Sequence, residues 1–239
     1  MRRFFDPQLF TKGQPATLGE DASHHISRVL RMKEGDQLQV FNGEGGAWQA
    51  QITALSRKAV TVLPASFDSE NRLPPRPVTV ALPLIKGERM DYALQKATEL
   101  GAHQFQLLNT ERTDVRLDGE RLEKKLRHWQ QVVISACEQC GMNLVPIVLA
   151  PQPLADWLPT ADAGLKLIAH PGENPLPADA CHGVADIILL TGPEGGFSEA
   201  EISAATEQGF VSFALGNRIL RAETAPVALL AALWARISS

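Results

Sequence analysis

The chain has 239 residues, 44% of them hydrophobic and 21% charged, and its formal net charge is −4. This composition is typical of a globular chain with one large or two modest domains, and it excludes a disordered, collagen-like or coiled-coil protein. The three cysteines predict reduced thiols, and the longest apolar run, Ala225–Ala235, is too short to span a membrane, so we expect a cytoplasmic protein.

The charge is unevenly distributed along the chain. Residues 1–72 carry nine Lys and Arg against eight Asp and Glu, whereas residues 73–239 carry 14 against 19. Basic, aromatic and histidine side chains together predict an RNA-binding surface, because they bind phosphates and stack on unpaired bases. The alternative is that the rings pack in the core and the arginines are merely solvated. The candidate residues are Arg2, Arg3, Phe4, His24, His25, Arg28 and Arg31.

The first predicted elements belong to a small β domain. Apolar residues at helical spacing predict a short amphipathic helix over Glu20–Met32. Three alternating runs follow and predict a β-meander, at 36–41, 47–55 and 57–63. The turn Asn42–Gly46 predicts a tight hairpin, because its residues accept a positive φ. We expect a small antiparallel barrel over residues 1–72, followed by a proline-rich linker at Asp68–Pro77.

Beyond residue 73, short apolar runs alternate with helical segments. This alternation predicts an α/β domain with a mostly parallel sheet covered on both faces. The predicted strands are 78–85, 103–108, 144–149, 165–169, 187–190 and 210–215, and the predicted helices are 88–100, 120–140, 199–208 and 224–237. Ser198 and Glu201 have the spacing of a capping box. The last helix is apolar almost all round, which indicates burial on more than one side, for example at a subunit interface.

Two of the predicted strands end in glycine-bearing loops. One loop spans residues 191–197, and the other spans residues 215–223 and carries Arg221 and Glu223. In open α/β sheets, ligands bind at the carboxyl ends of strands, and glycine lets the backbone approach them closely. The pair of loops therefore predicts a ligand crevice. A tight turn and a surface ion pair of Glu223 with an arginine are the alternatives.

Other motifs narrow the class of ligand. The chain contains no G-x-G-x-x-G and no G-x-x-x-x-G-K-[ST], so neither a Rossmann dinucleotide site nor a P-loop is predicted. Cys137 and Cys140 lie on the apolar stripe of one helix without a second cysteine pair, which favours core packing over a zinc site. His170 follows a predicted strand, where either a ligand contact or a structural role is open.

The two glycine loops resemble one enzyme family in detail. Residues 190–201 are LTGPEGGFSEAE and residues 215–225 are LGNRILRAETA. Both are similar to motifs of the RsmE family of 16S ribosomal RNA uridine-N3 methyltransferases, a branch of the SPOUT superfamily. Shorter matches lie at His24-His25 with Val29–Arg31, at Lys96–Gly101, at Glu111–Thr113 and at Glu138-Gln139. Met142 departs from the family pattern, which has an arginine there.

The resemblance implies a fold and a reaction. It implies a PUA-like β-barrel over 1–72, followed over 73–239 by a trefoil-knotted SPOUT α/β domain, in a homodimer that uses no metal. The implied reaction moves the methyl group of S-adenosyl-L-methionine to N3 of uridine 1498, in the usual numbering of 16S rRNA, on the assembled small ribosomal subunit.

The resemblance and the strand-end positions together suggest roles for individual residues. The expected cofactor-binding residues are His170, Leu190, Thr191, Gly192, Pro193, Glu194, Gly195, Gly196, Leu215, Gly216, Ile219 and Leu220. Arg112 and Arg221 are candidates to hold the anionic uracil oxygens, and Glu99, Glu138 and Glu223 are candidate proton acceptors. Two rival functions stay open, a non-catalytic ribosome-assembly protein and a metabolite-binding enzyme.

Overall fold

A computed structural model describes residues 1–56, 59–170, 180–181 and 183–237. By contacts between Cα atoms, the chain divides into two compact units. The first unit comprises Met1–Arg72 and Cys137–Val145, and the second comprises Leu73–Ala136 and Pro146–Ser239. No helix in the described ranges has both the length and the hydropathy needed to cross a membrane.

The first unit is built on a mixed five-stranded sheet. Its strands are β1 (Arg3–Phe5), β2 (Ala16–Thr17), β3 (Gln37–Phe41), β4 (Ala47–Leu55) and β5 (Val60–Asp68), in the order β1-β3-β4-β5-β2. The antiparallel β3-β4-β5 meander confirms the pattern read from the alternating residues, although Arg57, the predicted start of its third run, lies outside the described residues. Strand β1 adds to β3 in parallel, and β2 pairs antiparallel with β5; neither was predicted.

The amphipathic segment before the meander is only partly α-helical. Helix α1 covers Glu20–His24, and a π-helical turn continues it over His25–Val29, where the Leu30 N–H donates to the His25 carbonyl at 3.0 Å. Arg31 then adopts a φ of 51° and ends the turn. The predicted helix to Met32 was therefore too long, because apolar spacing does not distinguish α from π hydrogen bonding.

The second unit is built on a six-stranded sheet in which every neighbouring pair is parallel. The strand order is β11-β9-β10-β6-β7-β8. The strands are β6 (Val78–Pro83), β7 (Gln104–Asn109), β8 (Ile147–Pro153), β9 (Leu165–Ile168), β10 (Ile187–Leu190) and β11 (Val211–Ser212). The helices are α2 (Glu88–Glu99), α3 (Gly119–Cys140), α4 (Leu154–Trp157), α5 (Glu199–Glu207) and α6 (Thr224–Ile237). The parallel α/β prediction is confirmed.

Two predicted strands differ from the observed ones. The run 144–149 is displaced to Ile147–Pro153, because Leu144 instead forms a bridge with Glu44 inside the first unit. The run 210–215 shrinks to the edge strand β11, although the Phe213 N–H still donates to the Ile168 carbonyl at 2.9 Å. The first run is therefore shifted along its partner β7, and only in the second is the apolar run longer than the paired strand.

Local hydrogen bonds define the C-terminal end of α2 and the N-terminal end of α5. Gly101, with a φ of 83°, follows α2, and its N–H donates to the Thr98 carbonyl at 2.8 Å while the Ala102 N–H donates to Ala97 at 2.9 Å. These are the two bonds of a Schellman motif, which needs a left-handed residue after the helix. At α5, Ser198 and Glu201 form both bonds of the predicted capping box.

Strands β9, β10 and β11 leave their carboxyl ends at one edge of the sheet. Strand β9 lies between the other two, and Ile168 pairs with both Leu190 and Ser212 at the ends of those strands. The Ala169 N–H donates to the Leu190 carbonyl at 2.7 Å, so the first residues beyond the strands remain in register. The loops that follow these three strands are therefore brought together.

Candidate cofactor and active site

A cavity of about 310 Å³ lies where the three strand-end loops meet. It is lined after β9 by Ala169 and His170, after β10 by Gly192–Phe197, after β11 by Phe213–Leu215 and Arg218–Leu220, and beside α6 by Ala222, Ala225 and Leu229. The volume and the largely apolar lining, with a few charged groups, are typical of a small-molecule site. This cavity is the crevice that the two glycine loops predicted.

Most of the predicted cofactor residues line this cavity. They are His170, Gly192, Pro193, Glu194, Gly195, Gly196, Leu215, Ile219 and Leu220. Three others do not: Leu190 and Thr191 are fully buried, with the Thr191 N–H donating to the Ala81 carbonyl at 2.8 Å, and Gly216 supplies a φ of 71° in the turn. Leu190 and Thr191 support the loop after β10 from the core, whereas Gly216 is an exposed residue of its turn.

Sequence reasoning missed several lining residues that lack an obvious polar signal. Phe197 and Phe213 are apolar, and no pattern separates a ring that lines a cavity from a ring in the core. A Cβ on Gly192 would lie 3.1 Å from the Phe197 ring, so the glycine lets the loop pack closely against that ring. Arg218 also lines the cavity; it lies in the 215–220 stretch that the sequence assigned to the pocket, although it was not singled out as a cofactor-binding residue.

Arg112 lies against the glycine loop. Its guanidinium donates to the Gly195 carbonyl at 2.9 Å, and a Cβ on Gly195 would lie 3.2 Å from the Arg112 Cβ. The turn that carries Arg112 is closed by Thr110 and Thr113, whose buried hydroxyls are 2.7 Å apart. The structure therefore brings this sequence-predicted arginine to the rim of the cavity.

The other predicted catalytic residues have different surroundings. Glu99 is paired with Lys96 at 2.7 Å. Glu223 is 8% exposed, and its Oε2 has no hydrogen-bond partner among the described residues. It does not line the cavity of the strand-end loops but a second, more open cavity of about 680 Å³ beside α2, with Asp91 and Tyr92. The side chain of Arg221 is exposed.

Glu138 is a residue of the first unit. Its Oε1 accepts a hydrogen bond from the Phe5 N–H at 2.9 Å. Burial raises the pKa of the Glu138 carboxyl, although this hydrogen bond and the nearby His25 and Arg3 act in the opposite direction. The sequence, which made Glu138 a candidate proton acceptor, gave no hint of this contact, because strand β1 was not predicted.

The predicted RNA-binding residues separate into exposed and buried groups. The side chains of Arg2, His24, His25, Arg28 and Arg31 are exposed. Phe4 is 1% exposed and lies in the core of the sheet, with its ring edge-on to His25 at 5.8 Å between centroids. The prediction that Phe4 stacks on RNA bases was wrong, because neither face of its ring is accessible.

Arg3 is also less exposed than the other predicted RNA-binding arginines. Its half-buried guanidinium lies 4.9 Å over the Phe41 ring and donates to Gln39 at 2.9 Å, to the Met142 carbonyl at 3.3 Å and to Asn143. Burial lowers the pKa of the Arg3 guanidinium. Arg3 therefore holds the 137–145 segment to the sheet of its own unit, and Met142, where the family pattern has arginine, is a buried side chain beside it.

The cysteines pack in the interior, as the helical spacing predicted. Cys137 and Cys181 are buried and Cys140 is half-buried, and none of the three forms a disulfide among the described residues. Burial raises the pKa of the Cys137 thiol. Across the described part of the chain, no group of three His, Cys, Asp or Glu side chains is arranged to hold a metal ion.

Comparison with known proteins identifies the class. An RNA methyltransferase domain matches residues 72–234, and an RNA methyltransferase PUA domain matches residues 18–64. Ribosomal RNA small subunit methyltransferase E of Synechocystis is 37% identical, over 93% of this chain and 74% of the relative. The enzyme of the same name from Bacillus subtilis is 34% identical, over 98% and 96%.

Solved structures agree with the sequence matches. The ribosomal RNA small subunit methyltransferase E of Neisseria gonorrhoeae, bound to S-adenosylmethionine, has a TM-score of 0.92 and 38% identity, covering 98% of this chain and 96% of that one. A methyltransferase from Legionella pneumophila, also with bound S-adenosylmethionine, gives the same four values.

The fold and these matches define an RNA methyltransferase, with a PUA domain followed by a SPOUT-type α/β domain. The chain belongs to the ribosomal RNA small subunit methyltransferase E family, RsmE.

Proposed function

We propose that this protein transfers the methyl group of S-adenosyl-L-methionine to N3 of uridine 1498 of 16S rRNA, on the assembled small ribosomal subunit. The observation that carries the proposal is the cavity formed by the loops after β9, β10 and β11, with Arg112 at its rim. Family membership supports methylation of small-subunit RNA, and the finer choice of atom and nucleotide rests on the motifs.

The cavity residues fit the proposed cofactor. Gly192, Gly195 and Gly196 bring the main chain to the cavity surface, where its N–H and C=O groups are able to bind an adenine edge. Phe197 and Leu229 supply apolar surface for the ring. Glu194 lines the same cavity, and its Oε1 is paired with the Arg89 guanidinium at 3.1 Å. When bound there, S-adenosylmethionine supplies an electrophilic methyl group without help from a phosphate-binding lysine.

The chemistry at uridine requires removal of a proton. N3 of the base carries an imide proton, so its lone pair reacts only after a base accepts that proton and the resulting anion is stabilised. In this proposal Arg112 and Arg221 donate hydrogen bonds to the uracil oxygens as negative charge develops. Arg112 is already oriented by the Gly195 carbonyl.

Among the three candidate proton acceptors, the contacts favour Glu223. Its buried Oε2 has no partner among the described side chains, whereas Glu99 is neutralised by Lys96 and Glu138 accepts from the Phe5 N–H. Glu223 immediately precedes α6 and is adjacent in sequence to Ala222, which lines the proposed cofactor cavity. In the proposal, it takes up the N3 proton once RNA is bound.

RNA affinity in this proposal comes partly from the exposed basic side chains of the first unit. Arg2, Arg28 and Arg31 bind phosphates, and His24 and His25 add contacts beside them, so the first unit positions the RNA without reading its sequence. We further propose a cytoplasmic homodimer with the trefoil-knotted chain path of the family. Helix α6 supports the dimer, because it is apolar almost all round and its Ala231 and Ala235 side chains are exposed.

The test is to incubate the purified protein and labelled S-adenosylmethionine with unmodified small subunits and, separately, with naked 16S rRNA. The expected product after digestion is 3-methyluridine, formed faster on the subunits and located at 1498 by mass spectrometry. Arg112→Ala should lower kcat by about 100-fold or more, as loss of a charge-stabilising donor does. Arg121→Ala, an exposed arginine of α3, is the matched control.

The outcome also decides between the rivals. A different methylated nucleoside would overturn the choice of N3, and methylation elsewhere in the RNA would overturn the choice of nucleotide. RNA binding without methylation or cofactor binding would indicate a non-catalytic ribosome-assembly protein. A metabolite enzyme would bind the cofactor but leave both RNAs unmodified and bind neither.

A further inference from the structure

Glu201 makes one contact that reaches beyond its own helix cap. In the capping box, its Oε2 accepts from the Ser198 N–H at 2.9 Å, and its own N–H donates to the Ser198 hydroxyl at 3.2 Å. Its second oxygen, Oε1, accepts from the Glu111 N–H at 2.8 Å, across 90 residues of sequence. A helix cap uses only the first oxygen, so the second is free for another role.

The Glu111 contact holds the turn that carries Arg112. Residues 110–113 follow β7 and form a tight turn closed by the two threonine hydroxyls. Glu111 and Arg112 are its exposed residues. A hydrogen bond from a backbone N–H to a carboxylate is charge-assisted and stronger than a neutral one, so it restrains the residue next to Arg112.

The Glu201 carboxylate and the 110–113 turn contact the glycine loop after β10 at two points, Ser198 and Gly195. Glu201 fixes the loop through Ser198, and Arg112 fixes it through the Gly195 carbonyl at 2.9 Å. The result is a closed circuit of hydrogen bonds from Glu201 to Glu111, along the chain to Arg112, to Gly195 and back to Ser198. Rigid support of this kind is what holds a reacting group within reach of its target.

We infer that Glu201 is a positioning residue for methyl transfer, which acts through the 110–113 turn on Arg112. The inference rests on the proposed function, because it assigns Arg112 to the uracil oxygens. Glu201 itself does not line the proposed cofactor cavity. Its removal should therefore lower the rate of methyl transfer far more than the affinity for S-adenosylmethionine.

The test separates this role from helix capping. Glu201→Ala removes the side-chain bonds to the Ser198 and Glu111 N–H groups but keeps the bond from the N–H of residue 201 to the Ser198 hydroxyl. Ser198→Ala removes that hydroxyl bond and leaves the Glu111 contact in place. Glu199→Ala removes a neighbouring exposed carboxylate of the same helix and controls for charge. We expect Glu201→Ala to lower kcat by about 10- to 100-fold, with KM for S-adenosylmethionine changed less than about threefold. Both controls should stay within about threefold of the unmodified protein.

A double-mutant cycle shows whether the effect passes through Arg112. In an Arg112→Ala background, Glu201→Ala should lower kcat by less than about threefold, because the group that it positions is gone. Equal losses in both backgrounds would overturn the inference. So would a loss in Ser198→Ala as large as that in Glu201→Ala, since capping alone would then explain the effect.

Hydrogen exchange of the Glu111 amide tests the contact between Glu111 and Glu201 independently of catalysis. The Glu111 amide should exchange slowly in the unmodified protein and in Ser198→Ala, and about 10-fold faster or more in Glu201→Ala. If methylation of RNA is absent but this pattern holds, the proposed function fails while the positioning contact stands. If Glu201→Ala leaves the exchange of Glu111 unchanged, the inference fails whatever the activity.

Discussion

At the scale of single residues, neighbours of the same type have different roles. Arg2 is exposed and makes one long contact, 3.4 Å to the Leu30 carbonyl, whereas Arg3 is half-buried among three acceptors and an aromatic ring. Arg2 lies before β1, whereas Arg3 is the first residue of that strand, in which successive side chains point to opposite faces of the sheet. One residue further on, the same alternation places Phe4 in the core.

Glu138 leads to a prediction about pH. Because burial raises the pKa of its carboxyl in the folded state above the unfolded value of about 4.3, the folded state binds this proton more tightly. The contribution of Glu138 to stability is then best below about pH 4.3 and is lost as the pH rises through the folded-state pKa. Glu138→Gln keeps an acceptor for the Phe5 N–H and has no charge to bury.

Urea unfolding between pH 4 and 8 measures this effect. The free energy of unfolding of Glu138→Gln should rise relative to that of the unmodified protein as the pH increases. Glu123→Gln, an exposed carboxylate on the same helix, should show no such trend. A constant difference across the pH range would mean that the Glu138 carboxyl is well solvated in the folded state.

At the scale of elements, the loop after β10 depends on the absence of side chains. Gly195 faces Arg112 on one side and the cavity on the other. Gly195→Leu forces the Arg112 side chain or the loop to move, since its Cβ would lie 3.2 Å from the Arg112 Cβ. We expect the affinity for S-adenosylmethionine to fall about tenfold or more, while the fold is retained.

Isothermal titration calorimetry and thermal unfolding check this prediction. Ala200→Leu adds a side chain of the same size at an exposed position of α5 and should bind the cofactor normally. Arg112→Ala shows how much of the effect comes from the displaced arginine alone. Unchanged affinity in Gly195→Leu would place the cofactor elsewhere.

Elements with a complete local signal were predictable. Helix α2 has both apolar spacing and a glycine stop, and α5 has its capping box, so their bounds agree with the prediction within one residue. Strands β1 and β2 have three and two residues, which is too short for any periodicity, and they exist only because β3 and β5 offer edges. The π turn at His25–Val29 likewise depends on packing rather than on sequence spacing.

At the scale of the whole molecule, charge distribution leads to a further prediction. If Arg2, Arg28 and Arg31 bind phosphates, replacing all three by Gln should reduce the slope of log affinity against log salt by about 2, at about 0.7 per contact. The same change at Arg121, Lys124 and Lys125, which are exposed on α3, is the matched control.

Filter binding to small-subunit RNA between about 50 and 200 mM salt gives the two slopes. The first triple variant should lose affinity mainly at low salt. It releases fewer counterions on binding, and counterion release favours binding most at low salt. Equal slopes for both variants and the unmodified protein would assign the three arginines to solvent alone.

The amino-acid sequence by itself determined those features whose signals lie in consecutive residues. Two glycine loops after buried strands predicted the ligand crevice, and the amino-acid sequence of the loops predicted the family. Both predictions were possible because these signals are local and reside in consecutive residues. Local signals also separated the β-rich first part from the α/β remainder.

Only the tertiary structure decided which distant residues meet. The contacts of Arg3 with the segment after α3, of Glu138 with Phe5 and of Glu201 with Glu111 join residues that are 90 or more positions apart. No periodicity carries such information, because it depends on the strand order and on which loops share a sheet edge. The chain composition therefore determined what kinds of site are available, and the sheet topology determined which side chains complete them.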